Sequence, residues 1–178
     1  SRIVELEHGL FLEIRNELKK YISYLQEIAM EVAYADVVAS FANAALIHSW
    51  VCPEMDESEI FHVEDARHPV VENHLPSGEF VPNNLILCGQ DSDVQSFALI
   101  TGPNMAGKST FLRQNALISL LAQTGSFVPC SSARLGLVDR IFCRVGASDN
   151  LARGESTFLV EMTETARILR SATRKSLV

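Results

Sequence analysis

The residues Gly102-Pro103-Asn104-Met105-Ala106-Gly107-Lys108-Ser109 fit the pattern G-x-x-x-x-G-K-[ST] at every constrained position. A loop of this type turns its backbone N–H groups onto phosphate oxygens, which calls for glycine where the chain turns tightly or nears the anion. A helix that starts at the loop adds its positive N-terminal end to the same site. Lys108 would reach the β- and γ-phosphates and the Ser109 hydroxyl would ligate Mg²⁺, so the pattern points to ATP or ADP with Mg²⁺. The bland alternative is a glycine-containing turn with a surface lysine. The flanks argue against it: Phe97-Ala98-Leu99-Ile100 reads as a buried strand, and residues 108–123 carry Phe111, Leu112, Ala116, Ile118, Leu121 and Ala122 at helical spacing.

Hydrolysis asks for more: an acidic residue at the end of a buried strand to serve Mg²⁺, and a group that orients water. Leu135-Gly136-Leu137-Val138-Asp139 is the one candidate strand end, but Arg140 follows where many such enzymes place a glutamate. Asp139 reads more readily as a turn or surface carboxylate. Ser176-Leu177-Val178 reads as the start of a strand cut off before its acidic end. His68, standing before Pro69, is expected to be structural. Met105, Met162 and the Phe111-Leu112 pair are expected to pack rather than react.

The elements that must carry this chemistry divide near residue 51. Residues 2 to about 50 lack proline, and Leu10, Ile14, Leu18, Ile22 and Leu25 recur at the spacing of one buried helix face, with Glu13, Glu17, Lys19 and Lys20 off it. A second helical stretch, residues 33–50, is expected to end at Cys52-Pro53, because proline disfavours helix in the residue before it. Short apolar runs from residue 60 to 100 are broken by Pro69, Pro76, Gly78, Pro82 and Gly89, a pattern of strands and turns. Residues 133–145 read as one or two strands and residues 156–172 as a last amphipathic helix.

With 178 residues and 47% hydrophobic composition, the chain is that of an ordinary core-burying protein. The net charge of −7 argues against this chain gripping DNA phosphates by itself. Its four cysteines are widely spaced, without a C-x-x-C pair, and read as plain reduced thiols rather than a disulfide or zinc set. No apolar run is read as long enough to span a bilayer, and no membrane partner is expected.

Several motifs in order carry a family resemblance. Residues 101–110 followed by Phe111-Leu112-Arg113-Gln114 resemble the Walker A region of MutS mismatch-repair ATPases. So do Phe127-Val128-Pro129, Asp139-Arg140-Ile141-Phe142, Arg144-Val145-Gly146-Ala147 and the run from Ser156 to Thr165. Arg67-His68-Pro69-Val70-Val71-Glu72 and Phe80-Val81-Pro82-Asn83 match upstream. The resemblance is strong from about residue 66 to 173 and looser over the helical arm. It implies an α/β P-loop NTPase sheet of the ABC-ATPase type with flanking helices, preceded by a long-helix arm. Residues 1–50 would be the end of the helical core or lever, and residues 51–178 an ATPase domain cut before its Walker B strand.

The same resemblance implies roles. Phe80 and Val81 would line the adenine site, with Phe80 stacking on the base. Gly102, Pro103, Asn104, Met105, Ala106, Gly107, Lys108, Ser109 and Thr110 would hold the phosphates. Lys108 and Asn104 would act in turnover, Asn104 at the γ-phosphate. Ser109 would hold Mg²⁺, and Ser156 would reach the nucleotide of the other subunit in a dimer. By spacing alone Ser156 is a plausible helix N-cap, and Phe80 a core aromatic. The implied partners are mismatched double-stranded DNA, held through domains outside this chain, a second subunit through the ATPase domain, and a downstream MutL-type repair protein. The implied compartment is the bacterial cytoplasm at the nucleoid, or the nucleus or mitochondrion in a eukaryote. The chain itself is expected to bind nucleotide weakly and to hydrolyse little or none.

Rival readings are a MutS-like clamp acting in recombination, an ABC-type transporter or chromosome-structure ATPase, and a scaffold with a vestigial site. The second would be expected to show Leu-Ser-Gly-Gly-Gln, which residues 152–158 do not; intact Lys108 and Ser109 argue against the third.

Overall fold

The computed structural model describes residues 2–76, 78–89, 95–103, 105–145 and 157–178, with Thr157 described by its backbone only. The chain divides into two units, residues 1–43 and 44–178.

The first unit is helical. Helix α1 (Arg2–Leu18) passes through a 3-10 turn (Lys19–Tyr21) into α2 (Ile22–His48), whose last turn belongs to the second unit. The apolar stripe predicted to be buried is not: Leu10, Ile14, Leu18, Ile22 and Leu25 are 59, 61, 53, 46 and 54% exposed. Periodicity reports that a helix has an apolar face, and says nothing about which chain covers it. Within residues 2–48 an 18-residue window reaches a mean hydropathy of 1.3, long and apolar enough by length and composition to cross a membrane. That corrects the reading that no such run exists. Length and composition do not by themselves separate a bilayer span from a helix buried by other protein.

The proline at position 53 does not end α2. The helix stops at His48, Ser49 takes a left-handed φ of 52°, and Trp50 N–H donates back to Ala45 O at 3.0 Å. This is the Schellman closure, in which a left-handed residue after the cap lets the next amide reach a carbonyl of the last turn.

In the second unit, β1 (Glu54–Asp56), β2 (Phe61–Ala66), β3 (Asn83–Leu87) and β4 (Ser132–Gly136) form a four-stranded sheet in the order β1-β4-β2-β3. β1 runs parallel to β4, and β2 is antiparallel to both β4 and β3. On β2 the alternation that a one-faced sheet requires puts Phe61 and Val63 inward, opposite Leu135 and Ala133 on β4. The register slips between Val63 and Ala66, where Asp65 has a φ of 47°. Its N–H is taken by Asn84 Oδ1 at 2.8 Å, which replaces a ladder bond lost to the bulge.

Helix α4 (Lys108–Gln123) lays Ile118 and Ala122 into the core with Phe61, Val63, Ala66, Val128, Cys130, Ala133 and Leu135. Burial pushes the Cys130 thiol up to about 11, which keeps it protonated and unreactive. A parallel pair, β5 (Arg140–Ile141) and β6 (Ser176–Leu177), and helix α5 (Thr157–Ser171) complete the unit. The short helix α3 (Pro69–Glu72) starts with proline at a position whose N–H no helix uses.

One predicted element is missing. Residues 97–100 carry no strand ladder, and Phe97 and Leu99 are 73 and 77% exposed. A strand exists through its neighbours, and no described strand pairs with this run, so its apolar composition cannot become sheet. The architecture is therefore mixed α/β with a small mixed sheet.

Candidate functional site

The predicted phosphate loop is a loop, and it feeds a helix as the pattern requires. Gly107 caps α4 with a φ of 81° and offers no side chain to bond the first-turn amides. Nothing lies within 4 Å of where a Cβ would stand, so glycine is demanded there by conformation and not by crowding. Phe111 N–H to Gly107 O, at 2.9 Å, closes the first turn. The N–H groups of Lys108, Ser109 and Thr110 precede the first helical acceptor, and helix geometry points them at the loop.

Lys108 folds over this loop, with Nζ donating to Gly102 O at 2.5 Å and Pro103 O at 2.6 Å. The ammonium thus stands at the mouth of the turn and not on the outer surface of α4. Ser109 is exposed and Thr110 half-buried. Gly102 has a φ of 153° and would bring an added Cβ to 3.6 Å from Ala106 Cβ. Met105 is fully exposed, with a φ of 66°, so the expectation that it packs is wrong. Its left-handed backbone, sterically costly for methionine, serves the turn while the side chain stays exposed. Met162 is 46% exposed and Leu112 44%, so neither is a core residue. Asn104 and Ser156, predicted to act at the γ-phosphate and across a dimer, lie outside the described residues.

Phe80 is half-buried and Val81 is 77% exposed. Phe80 lines a cavity of about 640 Å³ with Ile47, His48, Arg67, Glu72 and Leu75 among its walls. None of the described loop residues lines that cavity, so the base and phosphate ends of the predicted site are not brought into one pocket.

Asp139 is tied into the β5–β6 connection. Thr173 Oγ1 donates to Oδ2 and Ser176 Oγ to Oδ1, each at 2.8 Å, and Asp139 N–H donates to Lys175 O at 3.2 Å. Both carboxylate oxygens are therefore engaged in holding a turn, which agrees with the turn-carboxylate reading. The hydroxyl of Thr173, then that of Ser176, holds its carboxyl below the ordinary value of 3.8. A depressed folded pKa stabilises the fold above the ordinary value and is lost as pH falls through the folded one. Acidifying below 3.8 is expected to lower the protection of residues 173–177 of the parent chain, read as amide exchange relative to the intrinsic rate at each pH. In Asp139→Asn that protection should already be low at neutral pH and should not fall further on acidification. Equal profiles for the two chains would remove Asp139 from this role.

His68 is structural, as expected. It is 6% exposed, and Nδ1 accepts from Val70 N–H and Val71 N–H at 3.3 Å each, capping α3. Burial pulls its pKa below 6.5, and the nearby Arg113 charge adds to this, so the ring stays neutral and able to accept. Position alone did not reveal Arg144. Its Nη2 is 3.2 Å from Glu161 Oε1 and its Nε 2.6 Å from Glu164 Oε2, which ties α5 to the segment after β5. The spacing of Glu161 and Glu164, on one helix face, is the signal that could have found it.

The family described as MutS domain V matches residues 98–178. The DNA mismatch repair protein MutS of Treponema denticola is 59% identical over 185 residues, covering 100% of this chain and 21% of that protein. The protein of the same name from Treponema pallidum is 60% identical over 177 residues, covering 99% of this chain and 20% of its own length. That of Rhodopirellula baltica is 55% identical over 172 residues, covering 97% and 19%. The chain spans about a fifth of the length of these relatives. Identity at this level over nearly the whole chain, together with the domain match across the loop and α4, places the chain in the MutS family.

Proposed function

We propose that this chain is a nucleotide-binding part of a mismatch-repair ATPase and that residues 102–110 hold the phosphates of Mg·ATP or Mg·ADP. The observation that carries the reading is the left-handed Gly107 opening an uncapped α4, with the Lys108 ammonium over the turn. First-turn amides, the helix dipole and a lysine converge there on space suited to an anion. The donor set fits the ligand: N–H groups and an ammonium for phosphate oxygens, and the exposed Ser109 hydroxyl for Mg²⁺. When bound, Mg·ATP supplies the phosphoanhydride and the metal charge.

In this proposal Lys108 exchanges the carbonyls of Gly102 and Pro103 for phosphate oxygens. Phe80 and Val81 take the base, Asn104 serves the γ-phosphate, and Ser156 acts on the nucleotide of a second subunit. Asp139 is occupied by Thr173 and Ser176, so it is not offered as the Mg²⁺ or water-activating carboxylate. Little or no turnover is expected from this chain. In the whole protein, the P-loop domain of ABC-ATPase type would drive a clamp on mismatched DNA and signal to a MutL-type partner. The parent would work as a dimer in the bacterial cytoplasm. ATP can drive such a switch only by binding the two clamp states with different affinity.

A fluorescent ATP analogue displaced by ATP and ADP, but poorly by AMP, is the expected result, because the loop grips the outer phosphates. Equal displacement by AMP would mean that binding, if present, does not run through residues 102–110.

A further inference from the structure

One guanidinium joins the carbonyl end of α2 to the Phe80 cavity. Arg67 Nη2 donates to His48 O and to Ser49 O, each at 3.1 Å, while Nε lies 3.2 Å from Glu72 Oε1 on α3. Its backbone N–H donates to Pro129 O at 2.8 Å, so the side chain starts from a point fixed at the edge of the core. The last carbonyls of a helix have no helical donor, and a cation there also meets the negative end of the dipole. Trp50 N–H satisfies Ala45 O, and Arg67 takes the carbonyls beyond it. His48, Ser49, Arg67, Glu72 and Phe80 all line the same cavity. A molecule seated on Phe80 therefore sits against the groups that hold the last turn of α2 closed.

That turn is poised to respond. Ser49 occupies a left-handed conformation, with a φ of 52°. A non-glycine residue persists there only while its surroundings enforce it. Trp50 follows, its ring centroid 5.6 Å from that of His48 and tilted by 34°. Val51 then pairs with Val128, a fully buried residue of the core.

We propose that Arg67 is a positioning residue that couples occupancy of the Phe80 cavity by a nucleotide base to the conformation of the α2 C-terminal turn. The inference rests on the reading that Phe80 takes the base. It adds which residue passes that event to the helix end. The coupling can be no larger than the difference in base affinity between the two arrangements of the turn.

Trp50 is the only tryptophan in the chain and reports the turn directly. Its emission and the amide exchange of residues 45–51 would be followed in the 178-residue chain at saturating Mg·ADP, with binding measured separately by calorimetry. Working at saturation removes any change in affinity from the comparison. In the parent, nucleotide should shift Trp50 emission and slow exchange across the turn. In Arg67→Ala and Arg67→Lys, that shift and that protection should be lost at full occupancy. Lysine keeps the charge but cannot span two carbonyls and a carboxylate as the planar fork does. Arg67→Lys is the deciding variant if Arg67→Ala gives no cooperative melt. Calorimetric binding in the parent without any response at Trp50 would overturn the coupling and leave the nucleotide site standing. So would an undiminished response in Arg67→Lys. Absence of binding in the parent would overturn both.

Discussion

Replacing Ile118 with alanine is expected to remove about 2–5 kcal/mol of stability, read from urea or thermal unfolding of the second unit. Ile118 is fully buried on the inner face of α4, in one cluster with Phe61, Val63, Ala133 and Leu135 of the sheet. Truncation deletes transfer free energy and leaves a cavity that close-packed neighbours fill only in part. Domains are stable by about 5–15 kcal/mol in total, so this one change can take a large part of the margin. Leu120 is on the same helix but 52% exposed, and Leu120→Ala should stay within about 0.5 kcal/mol of the parent. The contrast bears on function, because the inner face of α4 holds the helix whose first residue is Lys108. Equal losses for the two variants would mean that α4 is not docked on β2 and β4 as described.

Lys108→Ala is expected to weaken Mg·ATP about 10- to 100-fold, with little change in the melting temperature. A hydrogen bond to a charged group contributes about 1.5–3 kcal/mol, and the ammonium also neutralises phosphate charge that the loop N–H dipoles meet only in part. In the fold itself Lys108 is half-exposed and bonds two loop carbonyls that water can also serve. Its removal therefore costs the ligand more than the protein. An affinity unchanged in Lys108→Ala would move the nucleotide away from this loop. A collapsed melt would mean that the two carbonyl bonds are structural.

Local patterns that encode local structure were legible. The loop, α4, α5 and the β4–β5 region follow from glycine placement and period, because each is decided by residues close in sequence. What depended on distant partners was not legible. Asp139 is held by hydroxyls 34 and 37 residues away, which no spacing announces. Arg67 meets carbonyls 19 and 18 residues upstream, at a helix end that serine at position 49 does not signal. Residues 97–100 have the composition of a buried strand but lack a described partner strand, and composition cannot supply one. The arm shows the same limit: its apolar stripe is real in sequence, and Leu10, Ile14, Leu18, Ile22 and Leu25 are exposed.

The candidate site divides along the same line. The phosphate end is a contiguous motif whose described residues lead directly into α4. The base end, at Phe80, rests on the resemblance and sits in a separate cavity walled by the end of α2 and by Arg67. His68, set aside from the sequence, is explained by its cap on α3.

The most direct test of the central claim is calorimetric titration of Mg·ATP into the 178-residue chain, with inorganic phosphate release followed in the same samples. The predicted result is a saturable, Mg²⁺-dependent heat fitting one site per chain, with no phosphate released above background. A flat titration from a cooperatively folded chain would contradict nucleotide binding at residues 102–110. Robust phosphate release would contradict the expectation of little or no turnover from this chain and point to Asp139 or another residue as the hydrolytic group.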